Sequence, residues 1–260
     1  MERILTTEQF VLTIKEAPVK ENAKAIADTV LQAFDENNAM LPYMERLEKI
    51  LPGIAGLVCK EMSYEEIYGI VERLVEQQVL RDKSHIEEKT DYFYGIAKQR
   101  LTEAIAELMR LFGMEYPELP HFICCLGIYN PFPRSVLGKE YALHFAVSDE
   151  VFLRASLHEI NHMILFDKWN SMHGCRDRRE PEFPDPLWFL EELAIAPTLN
   201  DSRIQKILPI RHRAYASLEE TMVWGIPLTD RVQQIYDKSD TIECFLEDAY
   251  LLLTKYIQGD

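Results

Sequence analysis

The sequence predicts an α+β fold that is predominantly helical, in which a helical region leads into a second unit containing a small sheet. Three observations carry this. Apolar residues recur at helical spacing through most of residues 20–112, large apolar side chains alternate with small or polar ones from Tyr141 to Val147, and the proline-punctuated stretch Tyr116-Pro117-Glu118-Leu119-Pro120 separates the two patterns. The division is accordingly placed at 1–116 and 117–260. With 47% hydrophobic residues, a chain of 260 residues can bury a sizeable core without crosslinks.

Taken in order, a short extended segment at Phe10 to Ile14 precedes the first helix. From Lys20 to Phe34 the residues Ala23, Ile26, Ala27, Val30, Leu31 and Phe34 fall on one helical face. Ser63-Tyr64-Glu65-Glu66 and Ser84-His85-Ile86-Glu87 both have the capping-box form, in which a hydroxyl and a later carboxylate satisfy orphan amides, so a long helix is expected to start at each. The second carries Phe93, Ile96, Ala97, Leu101, Ala104, Ile105, Leu108 and Phe112 on one stripe and ends at Gly113, where a positive φ is tolerated. Past the break, His121 to Tyr129 is an apolar run of strand length ending at Asn130-Pro131, and Tyr141 to Val147 has the period of a strand with one buried face. Asp149 is placed to cap a helix reaching about Asp167. A charged, proline-containing loop, Asn170 to Pro184, follows; Asp185-Pro186 then reads as N-cap and first helical position of a short helix, Leu187 to Ala196, stopped by Pro197. Ser217-x-x-Glu220 and Asp240-x-x-Glu243 mark further starts, the latter opening a final amphipathic helix through Ile242, Phe245, Ala249, Tyr250, Leu253 and Tyr256.

Composition narrows the function classes. The net charge of −15, from 43 acidic against 28 basic residues, disfavours nucleic acid as a partner, because phosphates are neutralised by Lys and Arg. The most basic tract, Arg176-Asp177-Arg178-Arg179-Glu180, is interrupted by acids and reads as a solvated loop. No window approaches the roughly 18 apolar residues of a spanning helix, and the first residues have no apolar core of a secretion signal, so no membrane is expected. Five cysteines, odd in number and without a C-x-x-C, indicate neither a disulfide framework nor a cysteine zinc site; a reducing cytoplasm is expected, with Cys124 and Cys125 as small buried side chains.

The chemistry concentrates in His158-Glu159-Ile160-Asn161-His162, an H-E-x-x-H inside a predicted helix. Residues four apart lie one turn above each other, so both imidazoles can face one metal ion, with Glu159 displaced to the side where it can take a proton from water. Leu153, Leu157, Ile160 and Ile164 give the helix an apolar face to anchor it. A catalytic zinc takes three protein ligands and keeps a place for water, so a third ligand is needed. The segment Trp188-Phe189-Leu190-Glu191-Glu192-Leu193-Ala194 offers two carboxylates among apolar neighbours, where a buried carboxylate needs a cation. His173 is an alternative ligand without a supporting pattern; His144 reads as a polar strand residue, and His85 and His121 are unremarkable.

H-E-x-x-H followed by a W-[LF]-x-E-like helix resembles the gluzincin zinc metallopeptidases. The resemblance covers about residues 120–215 and implies a zincin-like catalytic domain over 117–260, with a small sheet beside the active-site helix. Matched residue by residue, it puts Trp188 on the family tryptophan and Glu191 on the third zinc ligand beside His158 and His162. Glu192 stands where the family has glycine, which makes it a rival ligand. The spacing from His162 is longer than usual, so the Asn170 to Pro184 loop reads as an insertion. The resemblance further implies a Zn2+ cofactor, Glu159 as general base, a donor to the oxyanion from His212 or Tyr215, a strand Tyr141 to Val147 at the cleft edge, and a peptide or protein substrate. The competing expectations are a non-catalytic zinc-binding protein acting through its helical surface, and a helical regulatory protein with an accidental motif.

Overall fold

The computed structural model describes residues 1–34, 43–129, 134–174 and 179–258. The chain opens with a hairpin of β1 (Glu2–Thr6) and β2 (Val11–Glu16), paired antiparallel with Leu5 opposite Leu12. Its turn is closed by Thr7, whose hydroxyl accepts from the Phe10 amide at 2.9 Å. The extended segment read at residues 10–14 is thus the second strand of a pair. α1 (Val19–Phe34) buries Ala23, Ile26, Ala27 and Val30 of the expected stripe, while Phe34 is half-buried and Leu31 is exposed.

After α2 (Tyr43–Ile50), α3 (Tyr64–Ile96) runs unbroken for 33 residues. Its capping box forms as the sequence indicates: the Ser63 hydroxyl accepts from the Glu66 amide, and the Glu66 carboxylate accepts from the Ser63 amide at 2.8 Å. The second box does not form. Ser84 is an exposed residue inside α3, because nothing between Arg81 and Ser84 breaks the helix and a cap requires non-helical backbone. A single π turn, Ala97–Leu101, joins α3 to α4 (Thr102–Leu111), and the stripe from Phe93 to Phe112 stays buried through it. Gly113 then takes a φ of 58°.

Next come β3 (His121–Gly127), β4 (Arg134–Ser135), β5 (Glu140–His144) and α5 (Asp149–His173). The end expected for the first strand, Asn130-Pro131, lies outside the described residues, as do residues 175–178 of the charged loop. α5 is capped by Ser148 rather than Asp149, and it runs on past Asp167 to Gly174 (φ 60°). Asp149 instead accepts from the Tyr92 hydroxyl at 2.8 Å. α6 (Pro186–Leu199) starts as read, with Asp185 accepting from the Leu187 amide at 2.7 Å, but it passes through Pro197. One missing amide in the last turn costs a single bond, and Asn200 still donates to the Ala196 carbonyl at 3.0 Å. α7 (Ser202–Ile207), α8 (Ala216–Glu219), the small hairpin β6 (Met222–Val223) and β7 (Ile226–Pro227), α9 (Leu228–Lys238) and α10 (Ile242–Gln258) complete the chain. Ser217 lies inside α8, and α10 is capped at Thr241, whose hydroxyl accepts from the Cys244 amide at 3.2 Å, one residue after the Asp240 expected.

The five-stranded sheet has the order β1-β2-β3-β5-β4; β2/β3 and β3/β5 are parallel, and the outer pairs are antiparallel. It crosses the division placed at residue 116. β2 pairs with β3 (Ile14 opposite Cys124), and one hydrophobic cluster holds Leu5, Phe10, Leu12 and Ile14 together with Phe122, Leu126, Phe152 and Leu253. The first 116 residues are therefore not purely helical. Leu12, Ile14, Phe122, Cys124, Leu126, Tyr141 and Leu143 share the sheet face buried in this cluster, whereas Lys15, Cys125 and Glu140 lie on the other. α1, α2 and the first part of α3 form a second cluster, which includes Ile26, Val30, Leu47, Ile67 and Val71. Leu153, Leu157, Ile160 and Ile164 of α5 are all fully buried, and so are Glu191 and the apolar residues around it on α6. The architecture is α+β, predominantly helical, with a small sheet. Among the described residues no helix is long and apolar enough to cross a membrane.

Candidate metal centre and cleft

α5 and α6 lie against each other, tied by the Thr198 hydroxyl, which donates to the Asn161 side-chain oxygen at 3.1 Å. Across this pair of helices His158 and His162 face Glu192 of α6. The two imidazoles approach through their Nε2 atoms at 3.0 Å, with ring planes at 73°. The carboxylate that joins them belongs to Glu192, whose oxygens stand 3.8 Å from His162 Nε2 and 4.0 Å from His158 Nε2. Donor atoms of His158, His162 and Glu192 all lie within 4.8 Å of one another. The geometry therefore groups the rival Glu192, and not Glu191, with the two histidines. Adjacent residues on a helix point about 100° apart, and α6 is rotated so that Glu192 faces the histidines. Glu191, with no exposed surface, turns to Arg134 instead.

Arg134 has no place in the sequence reading. Its guanidinium donates to Glu192 at 3.1 Å and to Glu191 at 3.2 Å, a fork between two buried carboxylates. It sits on β4, the strand that borders β5 (Arg134 opposite Tyr141). The edge position expected for Tyr141 to Val147 is thus held by β4 at its start, and β5 ends at His144. Glu180 fixes β4 in place, accepting from the Ser135 hydroxyl at 2.7 Å and from the amides of Val136 and Leu137 at 3.1 and 3.0 Å. No sequence signal marks Arg134, because the link is made by packing across the sheet edge.

Burial sets the electrostatics. Desolvation drives His158 down to about 3, with the charges of His212 and Arg134 adding to it, and pushes His162 well below the usual histidine range. Both rings are therefore neutral near pH 7, the state in which imidazole ligates a metal. Glu159 is 3% exposed and raised to about 8, chiefly by burial, with Arg134 acting against the rise. Glu191 is likewise raised to about 8 and Glu192 is raised, both mainly by burial. Oxygens of Glu159 and Glu191 and the Nδ1 of His162 are buried with no hydrogen-bond partner among the described residues.

A cleft of about 520 Å³ opens over His158 and Glu159, lined also by Arg134, Arg154, His212 and Tyr215. Its far wall is the stretch after α7. The His212 amide donates to the Asn200 side-chain oxygen and the Asn200 side-chain nitrogen donates back to the His212 carbonyl, each at 2.9 Å. His212 is 3% exposed, lowered to about 4 by burial and by Arg154, and its Nε2 has no partner among the described residues. The Tyr215 ring lies parallel to that of Trp188, 6.4 Å between centres, and burial followed by Glu192 raises its hydroxyl to about 12, which leaves it a donor. The structure thus brings His158, Glu159, His212 and Tyr215 to one cleft, with the buried His162 and Glu192 against His158 behind it.

The remaining histidines stand apart. His173 bonds the Trp169 carbonyl and Glu247 at the far end of α5. His144 accepts from the Ala146 amide at 3.0 Å, His121 pairs with the Thr13 hydroxyl at 2.7 Å, and His85 is exposed on α3. Cys124 is fully buried and Cys125 donates to Glu140 at 2.6 Å.

The donor set suits zinc. Bonds of 2.0–2.1 Å in a tetrahedron put ligand atoms roughly 3.3 Å apart, against 3.0, 3.8 and 4.0 Å here. Two neutral imidazoles and one carboxylate, with orphaned buried oxygens beside them, also match in chemistry. No protein-family model, curated protein or solved structure matches this chain.

Proposed function

We propose that this chain is a zinc-dependent hydrolase of the metallopeptidase type, with a gluzincin-like and zincin-like arrangement. The observation that carries the reading is the convergence of His158, His162 and Glu192 behind an open cleft that His158 and Glu159 line. Held by those three side chains, zinc would supply the Lewis acid that lowers the pKa of water and polarises a carbonyl. Glu159 lies one residue from His158 on the cleft lining; as its carboxylate, the form that a cation held beside it would favour, it would accept the proton of the attacking water and pass it to the leaving amine. His212, clamped by Asn200, and the Tyr215 hydroxyl line the same cleft and donate to the oxyanion that forms on the substrate carbonyl. Arg134 holds Glu191 and Glu192 in fixed rotamers, and so positions the ligand.

A purely structural zinc site is the second reading. Glu159 argues against it, because a base beside the ligands and a cleft above them serve no structural purpose. Purified protein is expected to carry about one equivalent of zinc; His162→Ala should empty the site, and Glu159→Gln should keep the metal and lose turnover on a peptide library. Absence of zinc by elemental analysis removes the reading, and full activity in the Gln variant refutes the base.

A further inference from the structure

We infer that the cleft selects peptides carrying a carboxylate close to the bond to be cut; this deepens the hydrolase reading and rests on it for the cleavage, though not for the binding. The observation is a local reversal of charge. The chain carries −15 overall, yet Arg134, Arg154, Arg211 and Arg213 line this one cleft, and among the described residues Glu159 is the only acid that lines it. Arg134 is committed to Glu191 and Glu192. Arg154, Arg211 and Arg213 are exposed, and among the described residues none of them has an ion pair or a side-chain hydrogen bond.

Three unpaired guanidiniums around one concavity make a local positive field, and each fork presents donors matched to a carboxylate. Their placement is built rather than accidental. Arg154 lies one helical turn before His158 and so overhangs the motif on the same face. Arg211 and Arg213 flank His212, whose backbone is held by both Asn200 bonds. Gln205 secures the same stretch, donating to the Leu199 and Ile210 carbonyls at 2.9 and 2.8 Å. The arginines are thus presented from irregular backbone that is tied down at two points, which lowers the ordering cost of binding. A concave wall of one sign concentrates the field and draws in the opposite charge, even on a molecule whose bulk surface repels it. That same bulk repulsion disfavours a long polyanion such as nucleic acid, and the cleft volume of about 520 Å³ suits a few peptide residues.

The test uses fluorescent peptides identical except for Glu, Gln or Lys at two central positions, each made with a free and with an amidated C-terminus. Binding is followed by anisotropy on Glu159→Gln protein, and cleavage on the wild type. The Glu peptide should bind at least about tenfold tighter than the Gln peptide, and the advantage should shrink as salt rises from 0.05 to 0.5 M. Arg211→Ser with Arg213→Ser should lose the advantage, Lys at both positions should restore part of it, and Glu at both should transfer the preference to the Lys peptide. Loss on amidation assigns the carboxylate to a chain end; loss only on Glu-to-Gln exchange assigns it to side chains. Equal binding of all three peptides with no loss on amidation, or cleavage blind to both changes, overturns the inference while leaving the hydrolase intact. Tighter binding of an oligonucleotide of equal charge overturns it too. Selective, salt-sensitive binding without any cleavage supports the inference and overturns the hydrolase.

Discussion

Arg134 is the one cation within hydrogen-bond reach of both Glu191 and Glu192 among the described residues, and those two carboxylates are 0% and 2% exposed. Removing it withdraws the cation that opposes their raised pKa values and the donor of both hydrogen bonds; breaking a buried pair costs up to about 3–5 kcal/mol, less where the freed carboxyl takes up a proton. Arg134→Met is expected to lower stability by that order in urea unfolding with a chelator present, and saturating zinc should recover part of the loss by neutralising Glu192. A separate expectation distinguishes the glutamates. Glu192→Gln should raise the zinc dissociation constant at least about a hundredfold, whereas Glu191→Gln, which acts only through Arg134, should change it by about tenfold; a competitive chelator titration in which the order is reversed returns the ligand to Glu191. The sequence made the pair visible, because carboxylates rarely stand in an apolar helix unpaired. It could not choose between neighbours, since the choice depends on how α6 is rotated against α5, and that is decided by packing of Phe189, Leu190, Leu193 and Ala194, all buried in the common core.

Among the elements, α3 shows where local pattern reading succeeds and where it stops. Ser63 and Ser84 carry the same four-residue signature, yet only Ser63 caps a helix. The difference lies in the preceding residues: Glu61 and Met62 are outside regular helix, whereas Asp82 and Lys83 are already helical. Ser63→Ala should therefore destabilise the protein by about 1 kcal/mol, and Ser84→Ala, at an exposed helix interior, should be neutral or stabilising by a few tenths of a kcal/mol. Thermal unfolding of the two variants side by side checks this; equal losses would place a real boundary at Ser84. The bounds of α1 and the C-terminal end of the Phe93–Phe112 stripe were legible to within a residue or two, whereas the start of the helix carrying that stripe was not. β4 was not, because two residues have no period.

For the whole molecule, the decisive feature is the parallel pairing of β2 with β3, more than a hundred residues apart in the chain. Such a contact leaves no local trace, which is why a break at Tyr116-Pro117 looked like a domain boundary. The hairpin's Leu5, Phe10, Leu12 and Ile14 belong to the same core as α5. A fragment of residues 117–260 is accordingly expected to lack cooperative unfolding and dispersed amide NMR signals, and a well-dispersed spectrum from that fragment would restore the two-unit division. The fork of Arg134 between Glu191 and Glu192 bears on the order of assembly. Small zinc modules collapse only once the ion arrives, because nothing else quenches their ligands. Here a side chain of the protein already does that service, so on the proposed reading the polypeptide can finish folding first and acquire its ion afterwards, and stripping the ion would switch the molecule off without taking it apart.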